Sequence, residues 1–335
     1  MEPYEVAYKV FLSIILVLSV VLNTTACYTI SIKVKKKELA HLFILSISFT
    51  NLLESIIGLL PHILTSGEIL SGSNSLCIAS GFAVFGFATT SITHLCVHSL
   101  SRTVAIKYPI YYFKNRKRFW YRTALISVCY VYGFIWATFP AIGWSKYDLD
   151  LDKRRCSLDW NLTRSDSLSY ILSVLIFCNI FPGILITIGL FKSKKVIYRR
   201  RTRNLGQKDD NQPDIFEKHY LKVFSSSSVL FFVTWTPYAV VSILALLKIA
   251  PPPPLVTTAA LFSKLSAVSN VLVNCFINKS FIRHLLSIKI IQVVAKRRTE
   301  LKIIGHAAFL HKEKTLIKNN RLYLYIYKNN LFDKI

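Results

Sequence analysis

The sequence predicts an all-α membrane protein: seven transmembrane helices in a bundle, followed by a short amphipathic helix. Three observations predict it. The 335 residues are 53% hydrophobic with a mean hydropathy of +0.42, too apolar for a water-soluble domain. Seven apolar runs of about 20 to 25 residues are each long enough, at 1.5 Å per residue, to cross a hydrocarbon core of about 30 Å. Lys and Arg gather in alternate connections between those runs.

The first run, Val10 to Ile32, lacks a basic leader and meets Lys33, Lys35, Lys36 and Lys37 instead of a small-residue cleavage site. It therefore reads as an anchoring span, and residues 1–9 as a short outer amino terminus. The second run, Leu42 to Thr65, ends at the polar turn "SGEILSGSNS", and the third, Leu76 to Leu100, opens beside Cys77. A long outer loop containing Cys156 follows the fourth run, Thr123 to Gly143. The fifth, Leu168 to Phe191, and the sixth, Val223 to Leu247, bracket a basic loop broken by "GQKDDNQPD". The prolines of "APPPP" cannot continue a helix, so they separate the sixth run from the seventh, Leu255 to Ile277. Beyond it, Phe281, Leu285, Leu286, Ile288 and Ile291 recur at helical spacing beside Lys279, Arg283 and Lys289, the pattern of a helix lying on a membrane surface. The seven-helix domain thus covers residues 10–290, and residues 291–335 read as a basic, disordered tail.

Charge sets the orientation. Of 42 Lys and Arg, 33 fall in the tail and the three loops on its side of the membrane. Basic short loops stay in the cytoplasm, so the amino terminus is expected outside and the tail inside a multi-pass cell-membrane protein. That asymmetry accounts for most of the net charge of +25, which would otherwise suggest nucleic acid. Anionic lipid headgroups or a cytoplasmic partner suit these tracts better.

Lys264 stands out within "LFSKLSAVSNVLVNCFINKSF". A lone ammonium in hydrocarbon costs about 2.5 to 3.5 kcal/mol on insertion scales, so such a residue marks function. Five cysteines lie in spans, where a small apolar packing role is the default. Cys77 and Cys156 face outside, where they can pair; the alternative is two free thiols. No cluster with metal-ligand spacing stands out.

Seven spans, a cysteine heading the third and an arginine closing it in "SLSRTVAIKYP" resemble the rhodopsin-like G-protein-coupled receptors. "GWSKYDLDLDKRRCSLDW", "FFVTWTPYA" and "SKLSAVSN" followed by "NKSF" narrow the resemblance to the opsins. It covers roughly residues 10–290, and the Lys264 context is its specific part.

The resemblance implies that Lys264 carries retinal, 11-cis or all-trans, as a protonated Schiff base. An amine held away from water gives up its proton readily and can then condense with an aldehyde. The cation that results needs an anion. Asp150 is the first candidate, six residues before Cys156, where the opsins resembled carry a loop carboxylate. Glu54 is the second, near the middle of the second span at about the depth of Lys264. Asp150 could equally be a solvated loop acid, and Glu54 a hydrogen-bonded core acid or a partner of His62. Ser80 occupies the place of the glutamate of vertebrate visual pigments. Trp235 and Tyr238, around the helix-breaking Pro237, match the segment beneath the retinal ring.

The cytoplasmic half departs from the pattern. Arg102, Glu217 and Asn270 match the signalling switch, but Ser101 replaces the acid before the arginine and Thr103 the tyrosine after it. The seventh span reads Asn270-Val-Leu-Val-Asn274, without the usual proline and tyrosine; Asn51 replaces an aspartate, and Leu190 stands where a tyrosine is common. Asn161 begins an outer glycosylation sequon, "NLT".

These features imply a photoreceptor in which light drives a heterotrimeric G protein, with arrestin as a further partner, and not an enzyme. The alternative is an opsin-type retinal photoisomerase with little signalling, supported by the altered cytoplasmic motifs. A receptor for a diffusible ligand, with Lys264 pairing to a ligand acid, ranks below both.

Overall fold

A computed structural model describes residues 3–34, 37–64, 74–153, 155–204 and 212–276, with side chains left out at some positions within them. All belong to one compact unit, residues 1–281. The surface helix and tail expected after the seventh span lie outside the described residues.

Seven spans follow one another in the expected order. The first is Pro3–Tyr28, continued by a π turn at Thr29–Lys33. The second joins Leu39–Leu53, a π turn at Glu54–Leu59 and Leu60–Leu64. The third is Asn74–Lys107 and the fourth Phe119–Ala141, with a short helix, Pro109–Asn115, between them. Ser167–Val174, a π turn at Leu175–Ile180 and Phe181–Asn204 make the fifth, and Gln212–Leu246 the sixth. Six of these helices are long and apolar enough to cross a membrane. The seventh is broken: Pro253–Lys264 ends at Leu265, Ser266–Val271 resumes, and a π turn covers Leu272–Phe276.

Several helices outrun their apolar runs. Lys and Arg are good helix formers, so the third span continues to Lys107 and the fifth to Asn204, where a hydropathy count has already ended. The sixth begins at Gln212, because Pro213 in a first turn costs no helical hydrogen bond. Residues 3–9, expected as an outer terminus, already belong to the first helix.

The third span is the axis of the bundle. Two-thirds of its apolar window (67%) is buried, against 22% for the fourth and sixth. Gly133 lets the fourth span approach it: a Cβ there would sit 2.8 Å from the Gly86 carbonyl oxygen and closer still to the Thr90 hydroxyl. Val17, Val131, Ile188 and Val229 point outward, the direction in which apolar side chains meet lipid.

Among the described residues, β structure is confined to a hairpin at one end of the bundle, formed by β1 (Tyr147–Leu149) and β2 (Cys156–Leu158). The strands are antiparallel, with Tyr147 opposite Leu158 and Leu149 opposite Cys156. Cys156 is disulfide-bonded to Cys77 at the head of the third span. The Tyr147 hydroxyl donates to the Ala137 carbonyl at 2.7 Å. A covalent bond to one span and a hydrogen bond to another thus seat the hairpin across the bundle mouth.

Candidate functional site

Lys264 closes the upper helical segment of the seventh span, directly before the break at Leu265. Glu54 opens the π turn of the second span. Each π turn inserts one residue and re-aims the side chains that follow, and such turns are frequent at functional sites. The two side chains meet: Lys264 Nζ donates to Glu54 Oε1 at 3.1 Å. Both are buried, at 8% and 4% exposure, so the pair is enclosed. An ammonium and a carboxylate removed from water require one another, since losing either partner strands the other's charge.

Lys264 lines a cavity walled mainly by apolar side chains, among them Val84, Ala88, Ile92, Phe231 and Trp235. Phe231 stacks on Trp235 with ring centroids 5.9 Å apart, and Tyr238 meets Trp235 edge-on at 6.3 Å. Trp235 Nε1 is buried with no hydrogen-bond partner among the described residues. Pro237, two residues on, withholds an N–H from the sixth helix. The hydroxyls of Thr234 and Thr236 donate to the Phe231 and Phe232 carbonyls at 2.9 and 2.7 Å around it. The cavity is thus largely apolar and aromatic, with the Lys264 amine, its adjoining carboxylate and the Arg155 guanidinium as its charged groups.

Of the two acids the sequence offers to Lys264, the structure brings Glu54 to the amine. Asp150, the first choice, turns to Arg155 instead: Asp150 Oδ2 lies 2.7 Å from Arg155 Nη2 and accepts from the Tyr238 hydroxyl at 3.2 Å. The hairpin turn imposes this, because Asp150 N–H bonds the Arg155 carbonyl at 2.7 Å and holds the two side chains together. Arg155 Nη1 also pairs with Asp152 at 2.8 Å, and Asp152 accepts from the Thr257 hydroxyl at 2.7 Å. Burial acts to lower the pKa of Arg155, but Asp150 and Asp152 beside it raise it beyond its ordinary value. His62 is not paired with Glu54; its Nε2 lies 3.3 Å from the Ser80 hydroxyl. Asn161 is exposed in the turn after β2.

At the opposite end Arg102 Nε donates to His98 Nε2 at 3.5 Å, while the Glu217 side chain lies outside the described residues. Thr103 donates to the Gly189 carbonyl at 3.1 Å and lies 3.3 Å from the Ser193 hydroxyl, joining the third span to the fifth. Asn270 Oδ1 accepts from Ser227 at 3.4 Å. Asn23 and Asn51 both donate to the Ala267 carbonyl, at 3.1 and 3.3 Å.

Sequence reasoning missed Arg155, Trp160 and Thr257. The Trp160 indole donates to the Tyr238 hydroxyl at 3.0 Å and completes the network over the cavity. The one signal was "DLDLDKRRC", where acids alternate before three consecutive basic residues in a loop otherwise poor in reasons for charge.

Comparison with known proteins bears on this geometry. Residues 22–278 match the family model described as 7 transmembrane receptor (rhodopsin family). The chain is 30% identical over 246 residues to vertebrate ancient opsin of Salmo salar, covering 70% of this chain and 72% of that one. It is 27% identical over 210 residues to pinopsin of Columba livia, covering 62% and 58%. Its match to Opsin-VA of Rutilus rutilus spans 53% of that protein, so several relatives are matched over little more than half their length. The crystal structure of squid rhodopsin superposes with a TM-score of 0.75 at 21% identity, over 88% of this chain and 87% of that one, a likeness of fold.

Proposed function

The chain belongs to the rhodopsin family of seven-transmembrane receptors and, within it, to the opsins, and we propose that it is a photoreceptor that holds retinal on Lys264 as a protonated Schiff base and signals to a heterotrimeric G protein. One observation carries the reading: the buried contact of 3.1 Å between Lys264 and Glu54 at the wall of an aromatic-lined cavity. Retinal bound there supplies visible absorption and a light-driven change of shape.

The chain's own residues supply the rest. Glu54 provides the negative charge that keeps a cation on the Lys264 nitrogen in a dry site. Trp235 lines the cavity and, among the described residues, has no hydrogen bond to hold its indole. It can therefore be pushed, and the hinge at Pro237 lets the sixth helix respond. Arg102 lies at the far end of the third span, where two arrangements of helix ends can serve as a switch. The basic loops support a cytoplasmic position for that end and an outer one for the disulfide-bonded hairpin.

The test is to express the full chain, add 11-cis or all-trans retinal, record a dark spectrum and trap the adduct with borohydride. A visible band and a labelled Lys264, both lost in Lys264→Ala, are expected; colourless protein with no adduct would remove the reading. Light-dependent nucleotide exchange on a G protein tests the signalling half, and absence of exchange in light and dark would reduce the proposal to light absorption alone.

A further inference from the structure

We propose that Arg155 selects the counterion: by holding Asp150 and Asp152 in a buried ionic clamp, it withholds them from the Lys264 nitrogen and leaves Glu54 as the acid that serves it. This rests on the reading that Lys264 carries a cation in the working protein.

The wall of the cavity includes both Lys264 and Arg155, and neither Asp150 nor Asp152. The clamp therefore presents its cation to the cavity and keeps its acids behind. Asp150 is 1% exposed, and both its oxygens are engaged: Oδ2 by Arg155 and the Tyr238 hydroxyl, Oδ1 by the Leu151 N–H at 2.8 Å. Asp152 Oδ2 is shared by Arg155 and Thr257. Arg155 lies 2.7 Å from Asp150 and 2.8 Å from Asp152, so it offsets the field of one carboxylate, and the net charge of about −1 that is left sits behind the guanidinium, farther from the cavity. Among the described residues no second cation pairs with Glu54, which meets the amine directly. Tyr238 touches Asp150 and also lines the cavity, so the clamp is in contact with the cavity wall.

Arg155 has a second attachment, Nη2 to the Val256 carbonyl at 3.3 Å, two helical turns above Lys264. A purely structural role would act through that bond, and it would change stability without moving a titration. The two roles are therefore separable.

The experiment uses the full chain loaded with 11-cis retinal and reads the midpoint pH at which the visible band is lost, in wild type, E54Q, R155M, R155K and E54Q/R155M. Melting of the retinal-free proteins serves as an independent record of folding. R155M is expected to raise the midpoint by about one unit or more, since an opposite charge newly within reach shifts such a group by about 1 to 3 units. R155K, which keeps the cation, should hold the wild-type midpoint. E54Q should lose the band at pH 7, and E54Q/R155M should regain at least half of it. An E54Q/R155M protein that melts cooperatively yet stays without a visible band overturns the inference. A wild-type midpoint in R155M overturns it too, whatever its melting temperature. If R155M does not fold, E54Q/R155Q, closer in shape, replaces it: a regained band supports the clamp, and a folded but colourless protein overturns it. A band that survives in E54Q alone defeats the Glu54 assignment instead, and a wild-type chain that never colours defeats both.

Discussion

The two ends of the bundle are held by different chemistry. At the hairpin end, formal charges meet in buried pairs: Lys264 with Glu54, and Arg155 with Asp150 and Asp152, beneath a disulfide. Toward Arg102, the described buried contacts are mostly neutral, Thr103 to the Gly189 carbonyl and Ser46 to His94 at 2.8 Å, and the ion pair of Arg116 with Glu38 at 3.5 Å is at the surface. Buried ion pairs fix geometry because either partner alone is costly, whereas a hydroxyl can rotate to another acceptor. The difference teaches that this chain spends its constraint on the cavity and leaves the opposite end the more adaptable one.

Removing the disulfide should be the harshest way to break that contrast. Cys77→Ser opens a link spanning 79 residues and frees β2 from the third span. A loss of about 2 to 5 kcal/mol is expected, read as a lowered melting temperature together with lost retinal uptake. Uptake and melting that match wild type would mean that the hairpin is seated by its hydrogen bonds alone.

Glu54→Gln tests the charge pairs directly. With its anion gone, a cation on the Lys264 nitrogen gives up its proton more easily, so the pH at which the visible band disappears should fall below 7, a drop of at least about 1 to 3 units. Asp150→Asn, made in parallel, should move it far less. Equal shifts would erase the distinction drawn between the two acids.

Gly133→Ala should cost about 1 to 3 kcal/mol by overpacking, since its methyl would overlap the Gly86 carbonyl and the Thr90 hydroxyl. Thermal melting should show the loss while the absorption maximum stays in place. The smallest effect is expected at the other end. Thr103→Ala removes a neutral hydrogen bond between the third and fifth spans, worth about 1 kcal/mol, and should leave the dark spectrum unchanged. A spectral shift from Thr103→Ala would show that the two ends are more tightly coupled than their contacts suggest.

Much of this architecture is written locally. Each apolar run specifies its own crossing, because backbone groups in hydrocarbon must bond within the segment. Cys77 and Cys156, Lys264, and the Trp235-Pro237-Tyr238 segment likewise stand out by residue type against their surroundings. Hydropathy could not find the ends of the third, fifth and sixth helices, where charged residues continue the helix past the apolar stretch. Nor could it find the hairpin, whose strands are three residues each.

The sequence by itself determined that seven helices cross a membrane, that one buried amine must find an anion, and that two acids were available for it. Only the tertiary structure shows which of them the amine contacts. Lys264 and Glu54 are 210 residues apart in the chain, and their meeting depends on a π turn, which contains Gly58 and precedes Pro61, and on a helix break at Leu265 that neither glycine nor proline announces. Asp150 was lost to the amine through a backbone hydrogen bond that set Arg155 against it. Side-chain identity fixes which charges must be neutralised; the path of the backbone fixes which partner arrives first.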